Sequence, residues 1–258
     1  MIKRAAIQAF KLDGPKGFVG HIAARAFGRP HFLVPASSID FRNSGLMCTR
    51  SEFDFIQALL PTISSDLIHE SLNFAKSLPE LNAPTEVELK FPERWNSGSG
   101  LQHVMAALVW LINPRLVVET GTANGASTLA ISSAMHAMKN GKLLSLDIAE
   151  CEASLVPPHL RSYVSFMRVN GSAENLREVI WTEKSKGGIS IFLHDADHSY
   201  LGQTTDYRLA KELGFDLIIS DDVDSSLAFI DFAGTSGVVL YDVPKFIGGL
   251  LENEALGR

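Results

Sequence analysis

The stretch Val117-Val118-Glu119-Thr120-Gly121-Thr122-Ala123-Asn124-Gly125-Ala126-Ser127-Thr128 decides the fold. A short apolar run ends in an acid, two glycines bound a tight turn, and a helix follows over 126–138. Glycine suits a turn whose backbone takes positive φ or passes close to a ligand. The helix that leaves such a turn aims its free N–H groups back at the bend, where an anionic group is favoured. A G-x-G-x-x-G dinucleotide turn beginning at Gly121 needs glycines at 123 and 126, and the chain has Ala123 and Ala126.

Working outward, the same unit recurs. A helix over 101–112 stops at Asn113-Pro114 and feeds the strand 116–119. Strand 143–146 ends in Asp147. Strand 163–167 precedes Gly171-Ser172-Ala173 and a helix through Trp181. Strand 189–193 ends in His194-Asp195 before a helix over 200–213, and strand 216–219 ends in Ser220-Asp221-Asp222. Short apolar strands alternating with helices specify a parallel sheet covered on both faces. Strands 238–243 and 246–251 are separated only by Pro244-Lys245, so they pair antiparallel, at one edge of the sheet. The expected fold is therefore α/β: a Rossmann-like, doubly wound, mostly parallel sheet with an antiparallel edge hairpin.

Residues 1–100 read differently. Turn signals break them, helices are expected at 51–60 and 64–78, and 79–100 reads as a loop ending in Asn96-Ser97-Gly98-Ser99-Gly100. They are expected to form a mainly helical N-terminal cap on a domain spanning 101–258. Trp95 and His103, near this junction, are candidates to line the acceptor pocket, against the ordinary reading of a core tryptophan and a helix-surface histidine. The net charge of −6 divides unevenly: residues 1–39 carry +5 (Lys3, Arg4, Lys11, Lys16, Arg25, Arg29 against Asp13), the remainder −11. An anionic partner, a membrane surface and a solvated face all fit the basic arm.

Composition narrows the class. The longest apolar run, Val104–Ile112, is nine residues, about half a membrane span. Cys48 and Cys151 cannot make a disulfide framework and no secretory core opens the chain, so a cytoplasmic location is expected. In an open parallel sheet ligands bind outside the carboxyl ends of the strands, and Glu119, Asp147, Asp195, Asp221 and Asp222 are all expected there. Three neighbouring carboxylates without a cation would raise one another's pKa. An all-oxygen set suits Mg²⁺, Ca²⁺ or Mn²⁺ over zinc.

The E-x-G-x-x-x-G-x-S turn, with Phe192-Leu193-His194-Asp195-Ala196-Asp197-His198-Ser199-Tyr200 and Leu217-Ile218-Ile219-Ser220-Asp221-Asp222 in order behind it, resembles the class I S-adenosylmethionine-dependent methyltransferases over about residues 100–253. The nearest subgroup is similar to the cation-dependent small-molecule O-methyltransferases. The resemblance implies that Glu119, Gly121, Thr122, Gly125 and Ser127 hold the methionine end of S-adenosylmethionine. It implies that Asp147 takes the ribose hydroxyls, that Ser172 and Ala173 lie beside the adenine, and that Asp195 also touches the cofactor. Asp195, Asp221 and Asp222 would hold a divalent metal, Mg²⁺ first, where many relatives have Asn at the last position. The catalytic residues would be Asp195 and His198, with His198 as the base where the catechol and caffeoyl-CoA enzymes carry Lys.

The implied partner is a small-molecule hydroxyl acceptor, with a second copy of the chain left open. Nucleic acid is disfavoured, because the turn after the fourth strand lacks an N-P-P-Y-like sequence and the body is acidic. A non-catalytic cofactor-binding module on the same fold is the alternative.

Overall fold

The structure is a computed structural model that describes residues 41, 44–82, 87–150, 153–242, 245–253 and 256. The basic arm, Cys151 and the Pro244 turn lie outside the described residues. Eight strands form one sheet: β1 (Met47–Thr49), β2 (Leu116–Thr120), β3 (Lys142–Asp147), β4 (Val164–Arg168), β5 (Ser190–His194), β6 (Leu217–Ser220), β7 (Val238–Asp242) and β8 (Lys245–Leu251). Among the described residues, eight α-helices accompany them: α1 (Glu52–Leu59), α2 (Ser65–Ser77), α3 (Pro79–Asn82), α4 (Ser99–Ile112), α5 (Ala126–Met138), α6 (Ala173–Lys184), α7 (Tyr200–Glu212) and α8 (Ala228–Ala233).

The strand order is β1-β7-β8-β6-β5-β2-β3-β4, and β8 alone runs against its neighbours. The expected hairpin is present as β7–β8, but it does not form the edge. The three-residue strand β1 pairs parallel with β7 outside it, Met47 opposite Val238. A run that short carries no readable alternation, so periodicity could not reveal it.

Side chains alternate across the sheet, which makes two cores. Val117, Leu143, Ile191, Leu193, Leu217 and Ile219 face α1, α2, α4 and α5. Leu116, Val118, Leu144, Phe192 and Ile218 face α6, α7 and α8. Both faces of the central strands are buried, which is why they read as continuous apolar runs.

Helix starts follow local chemistry. Ser51, Ser64, Ser172 and Ser199 each accept a bond from a first-turn amide at the N-caps of α1, α2, α6 and α7. Asn113, left-handed at φ 49°, closes α4 one residue before Pro114. The expected loop 79–100 contains α3, a 3₁₀ turn at Glu93–Trp95 and the first turn of α4.

Within the described part of 1–100, the expected cap is continuous with the sheet domain. β1 joins the sheet, and Phe55, Ile56, Leu59, Ile68 and Leu72 share one buried cluster with α4 and α5. Gly249 of β8 permits this approach: a Cβ there would come within 2.7 Å of Leu59 and 2.8 Å of Phe55. α1 and α2 thus pack on the same face of the sheet as α4 and α5.

Candidate active site

The winding reverses between β2 and β5: the chain proceeds to β3 and β4 on one side and to β6 on the other. A crevice opens at the carboxyl ends of the strands at such a point. Register fixes what lies along it. Thr120 is opposite Leu146 and His194, and His194 is opposite Ser220. The next residues, Gly121, Asp147, Asp195 and Asp221, therefore stand in one row at the rim.

Glu119 is not in that row. β2 continues to Thr120, which places Glu119 one pair deeper, opposite Ser145 and fully buried. Its Oε2 accepts bonds from Thr128 Oγ1 and Ser145 Oγ, each at 2.6 Å, while Oε1 is buried with no hydrogen-bond partner. Burial pushes its pKa up; hydrogen bonds from Ser127, Ser145 and Thr128 oppose that, and the Asp147 charge adds to it.

The glycine turn is closed by backbone contacts. Gly121 N–H donates to Leu146 O, and Asp195 N–H donates to Thr120 O, both at 2.8 Å. Gly121 has φ +90°, and a Cβ on it would lie 1.9 Å from the Asp195 carbonyl oxygen. Only glycine lets β2 turn here against the end of β5. Gly125, also left-handed, starts α5, leaving Ala126, Ser127 and Thr128 in its buried first turn.

Asp147 closes the turn from the side. Oδ2 accepts from Thr122 N at 2.9 Å and Ala123 N at 3.2 Å, and Oδ1 from Ala149 N at 2.8 Å. A carboxylate has about four acceptor positions, so three amides leave room for a further donor. Ile148, beside it, is 66% exposed. Ser172 caps α6 by accepting from Asn175 N at 3.2 Å, and it stands with Ala173 at the mouth of the neighbouring loop.

On the other side of the switch point, His198 Nε2 lies 3.5 Å from Asp222 Oδ2 and 3.9 Å from Asp195 Oδ1. Asp221 and Asp222 are nearly closed to solvent, and Asp222 takes φ 48° at the bend after β6. Gln203 of α7 steadies that bend by donating to Asp222 O at 3.2 Å. Close by, burial above all, with the charges of Asp222 and Asp221, pushes Asp224 up to about 6.

Sequence reasoning missed the layer beneath. His194 is fully buried, its Nδ1 2.8 Å from Asp206 Oδ2, and the same oxygen accepts from Thr120 Oγ1 at 2.7 Å. The His194 ring meets His198 edge to face at 5.6 Å. Asp206 sits inside a helix, twelve residues from its partner, so no local spacing marks it. Ser145 did carry a signal, as a polar residue inside the apolar strand Leu143–Leu146. Trp95 stacks on Phe91 at 5.7 Å, and His103 bonds Glu52 at 2.8 Å.

The donor set of a metal centre was tested against this geometry. Asp195, Asp221 and Asp222 are oxygen donors on adjacent strand ends, the kind a hard cation takes. Among the described residues, however, no three Asp, Glu, His or Cys side chains gather at one ligating point. His198 Nε2 lies 3.5 Å and 3.9 Å from two of the three expected ligands, Asp222 and Asp195.

Residues 118–214 match the family profile described as "Methyltransferase domain". No curated protein matches the chain. Among solved structures, the chain is similar to an O-methyltransferase from Bacillus cereus in complex with SAH, at 15% identity and TM-score 0.43, covering 78% of this chain and 98% of that one. A putative O-methyltransferase from Klebsiella pneumoniae shows 17% identity and TM-score 0.45, with 78% and 95% covered. The O-methyltransferase TomG from Streptomyces achromogenes shows 14% and 0.44, with 78% and 96% covered. Residues 118–214, which run from β2 past α7 and include the switch point, thus match a methyltransferase domain.

Proposed function

We propose that the protein transfers the methyl group of S-adenosylmethionine to a hydroxyl of a small molecule, with His198 as the base. The observation that carries this reading is the imidazole of His198, partly exposed at the rim and flanked by Asp195 and Asp222 across the switch point from the glycine turn.

Bound S-adenosylmethionine supplies an electrophilic methyl on a sulfonium sulfur, and S-adenosylhomocysteine leaves after transfer. Gly121, Thr122, Gly125 and Ser127 form the backbone cradle for its methionine end, with Glu119 beneath as the buried support of that turn. Asp147 offers its remaining acceptor capacity to the ribose, and Ser172 and Ala173 border the adenine. Asp195 lines the floor between cofactor and acceptor. His198 Nε2 takes the proton of the acceptor hydroxyl as the oxygen attacks, and the two carboxylates beside it stabilise the resulting imidazolium. Alignment of donor and acceptor inside a water-poor crevice supplies much of the rate.

A divalent metal on Asp195, Asp221 and Asp222, Mg²⁺ first, is implied by the resemblance. Those three carboxylates would hold it, and it would lower the pKa of the acceptor hydroxyl; no step above is routed through it. The acidic rim favours a neutral small acceptor over a polyanion.

The test is methyl transfer from labelled cofactor to a panel of sugars, catechols and natural-product alcohols, with and without EDTA. Turnover with at least one hydroxyl acceptor, lost in His198→Ala, is expected. Absence of S-adenosylhomocysteine binding by calorimetry would overturn the reading.

A further inference from the structure

Residues 87–97 link the N-terminal helices to α4, and they are tied down at two places that flank the proposed cofactor crevice. Asn124, in the glycine turn and 1% exposed, accepts from Phe91 N at 2.9 Å and donates through Nδ2 to Phe91 O at 3.0 Å. The same Nδ2 donates to Asn96 Oδ1 at 2.8 Å. Lys90 Nζ donates to the carbonyl of Glu150 at 2.9 Å. Asn124 belongs to the loop after β2, and Glu150 to the loop after β3, three residues beyond Asp147. The segment therefore bridges the loops of two adjacent strands, beside the carboxylate proposed for the ribose.

The chemistry of the clasp is specific to a carboxamide. Its C=O and NH₂ match the N–H and C=O of one peptide residue, as in strand pairing, and a second NH₂ proton remains for Asn96. Aspartate has no donors and alanine has neither group. Leaving any of these buried groups unmatched is unfavourable.

Two further polar groups of this segment are buried beside the clasp. Trp95 Nε1 and Ser97 Oγ, on either side of Asn96, are buried with no hydrogen-bond partner. Buried donors are nearly always satisfied in folded proteins, and exceptions commonly mark a missing water, ion or ligand. Trp95 is also stacked on Phe91, the residue that Asn124 grips, so its environment reports whether the segment is seated.

We propose that Asn124 is a positioning residue that clasps residues 90–97 against the glycine turn, so that cofactor affinity depends on a segment outside the sheet. This rests on the cofactor reading above. The clasp acts through Phe91, Trp95 and Asn96, and Asn124 itself touches neither acceptor nor methyl group.

The test uses the full chain and S-adenosylhomocysteine as probe. Calorimetric Kd, thermal midpoint and tryptophan emission are measured for wild type, Asn124→Ala, Asn124→Asp and Asn96→Ala. A Trp95→Phe control isolates Trp95 from Trp110 and Trp181. Expected results are at least tenfold weaker binding and red-shifted Trp95 emission in both Asn124 variants. Asn96→Ala, which loses a single bond and guards against misfolding of the others, shifts both in the same direction by less. A lowered midpoint with unchanged Kd, or unchanged Trp95 emission, would overturn the clasp. Failure of wild type to bind the probe would overturn the cofactor reading and the coupling with it. Red-shifted emission in the unliganded Asn124 variants would still separate that failure from an error in the contact itself.

Discussion

His194 Nδ1 and Asp206 Oδ2 are joined at 2.8 Å beneath the rim, and Thr120 Oγ1 donates to the same carboxylate oxygen. One acceptor thus serves β2 and β5, the two strands between which the winding reverses. Removing it strands a histidine donor and a hydroxyl in a region closed to water. Asp206→Ala is expected to cost about 3 kcal/mol, the range for deleting one partner of a buried charged bond. Thr120→Val, which removes only a donor, is expected to cost about 1 kcal/mol. Urea unfolding of both variants checks the ratio, and equal losses would mean that Asp206 is not the shared anchor.

Gly121 gives a sharper expectation, because nothing around it can yield. The Asp195 carbonyl oxygen, not a side-chain tip, occupies the position of a Cβ, and φ is +90°. Gly121→Ala should therefore displace the ends of β2 and β5 relative to each other. A loss of more than about 3 kcal/mol is expected, adding left-handed strain to a backbone clash. Ser127→Ala, on the same turn but without such a contact, provides the comparison. A Gly121→Ala protein as stable as wild type in urea would contradict the described turn.

These two sites show what the residue pattern could and could not convey. Alternating apolar strands and helices specified the sheet, because both faces of β2, β3, β5 and β6 are covered and only apolar residues satisfy that. Strand ends were legible from Asp147, Asp195 and Asp221. Glu119 was placed at the rim, since an acid after Val117-Val118 looks like a terminus. It is a buried strand residue matched by Thr128 and Ser145 from α5 and β3, partners that no spacing connects. The same limit hid Asp206 and the Asn124 contacts, which join residues 33 and 28 positions apart. β1 escaped because three residues are too few for a period.

Glu52 ties the N-terminal helices to the sheet domain and supplies a pH-dependent contribution. Lys76 of α2 lies 2.7 Å from Oε2 and His103 of α4 lies 2.8 Å from Oε1. Burial raises its pKa, but the hydrogen bonds and charges of His103 and Lys76 outweigh that and hold it below 4.5. A carboxyl with a lowered folded pKa stabilises the fold above its unfolded value and loses that contribution as pH falls through the folded one. Glu52→Gln should therefore cost up to about 1 kcal/mol near neutral pH, since the pairs are partly exposed. The difference from wild type should begin to shrink as pH falls towards 4.5 and vanish only once pH has passed below the lowered folded value. Chemical unfolding from pH 7 to pH 3 tests this, and a constant difference would rule the assignment out.

Asp147 is expected to act twice, and the two roles separate by substitution. Oδ2 already holds the amides of Thr122 and Ala123, so the carboxylate shapes the glycine turn before any ligand arrives. Asp147→Asn keeps a single carbonyl oxygen. If that oxygen faces the turn, the NH₂ group replaces Oδ1, loses the Ala149 amide as donor and offers no acceptor to a ribose hydroxyl. Stability should fall by about 1 kcal/mol, one modest hydrogen bond. Affinity for S-adenosylhomocysteine should fall at least tenfold, because a ligand donor is left facing another donor. Asp147→Ala should add the loss of the turn amides, lowering the thermal midpoint further while weakening binding no less. Calorimetry and thermal unfolding on the same samples decide the matter. Wild-type affinity in Asp147→Asn would confine Asp147 to the turn and move the ribose contact elsewhere along the rim.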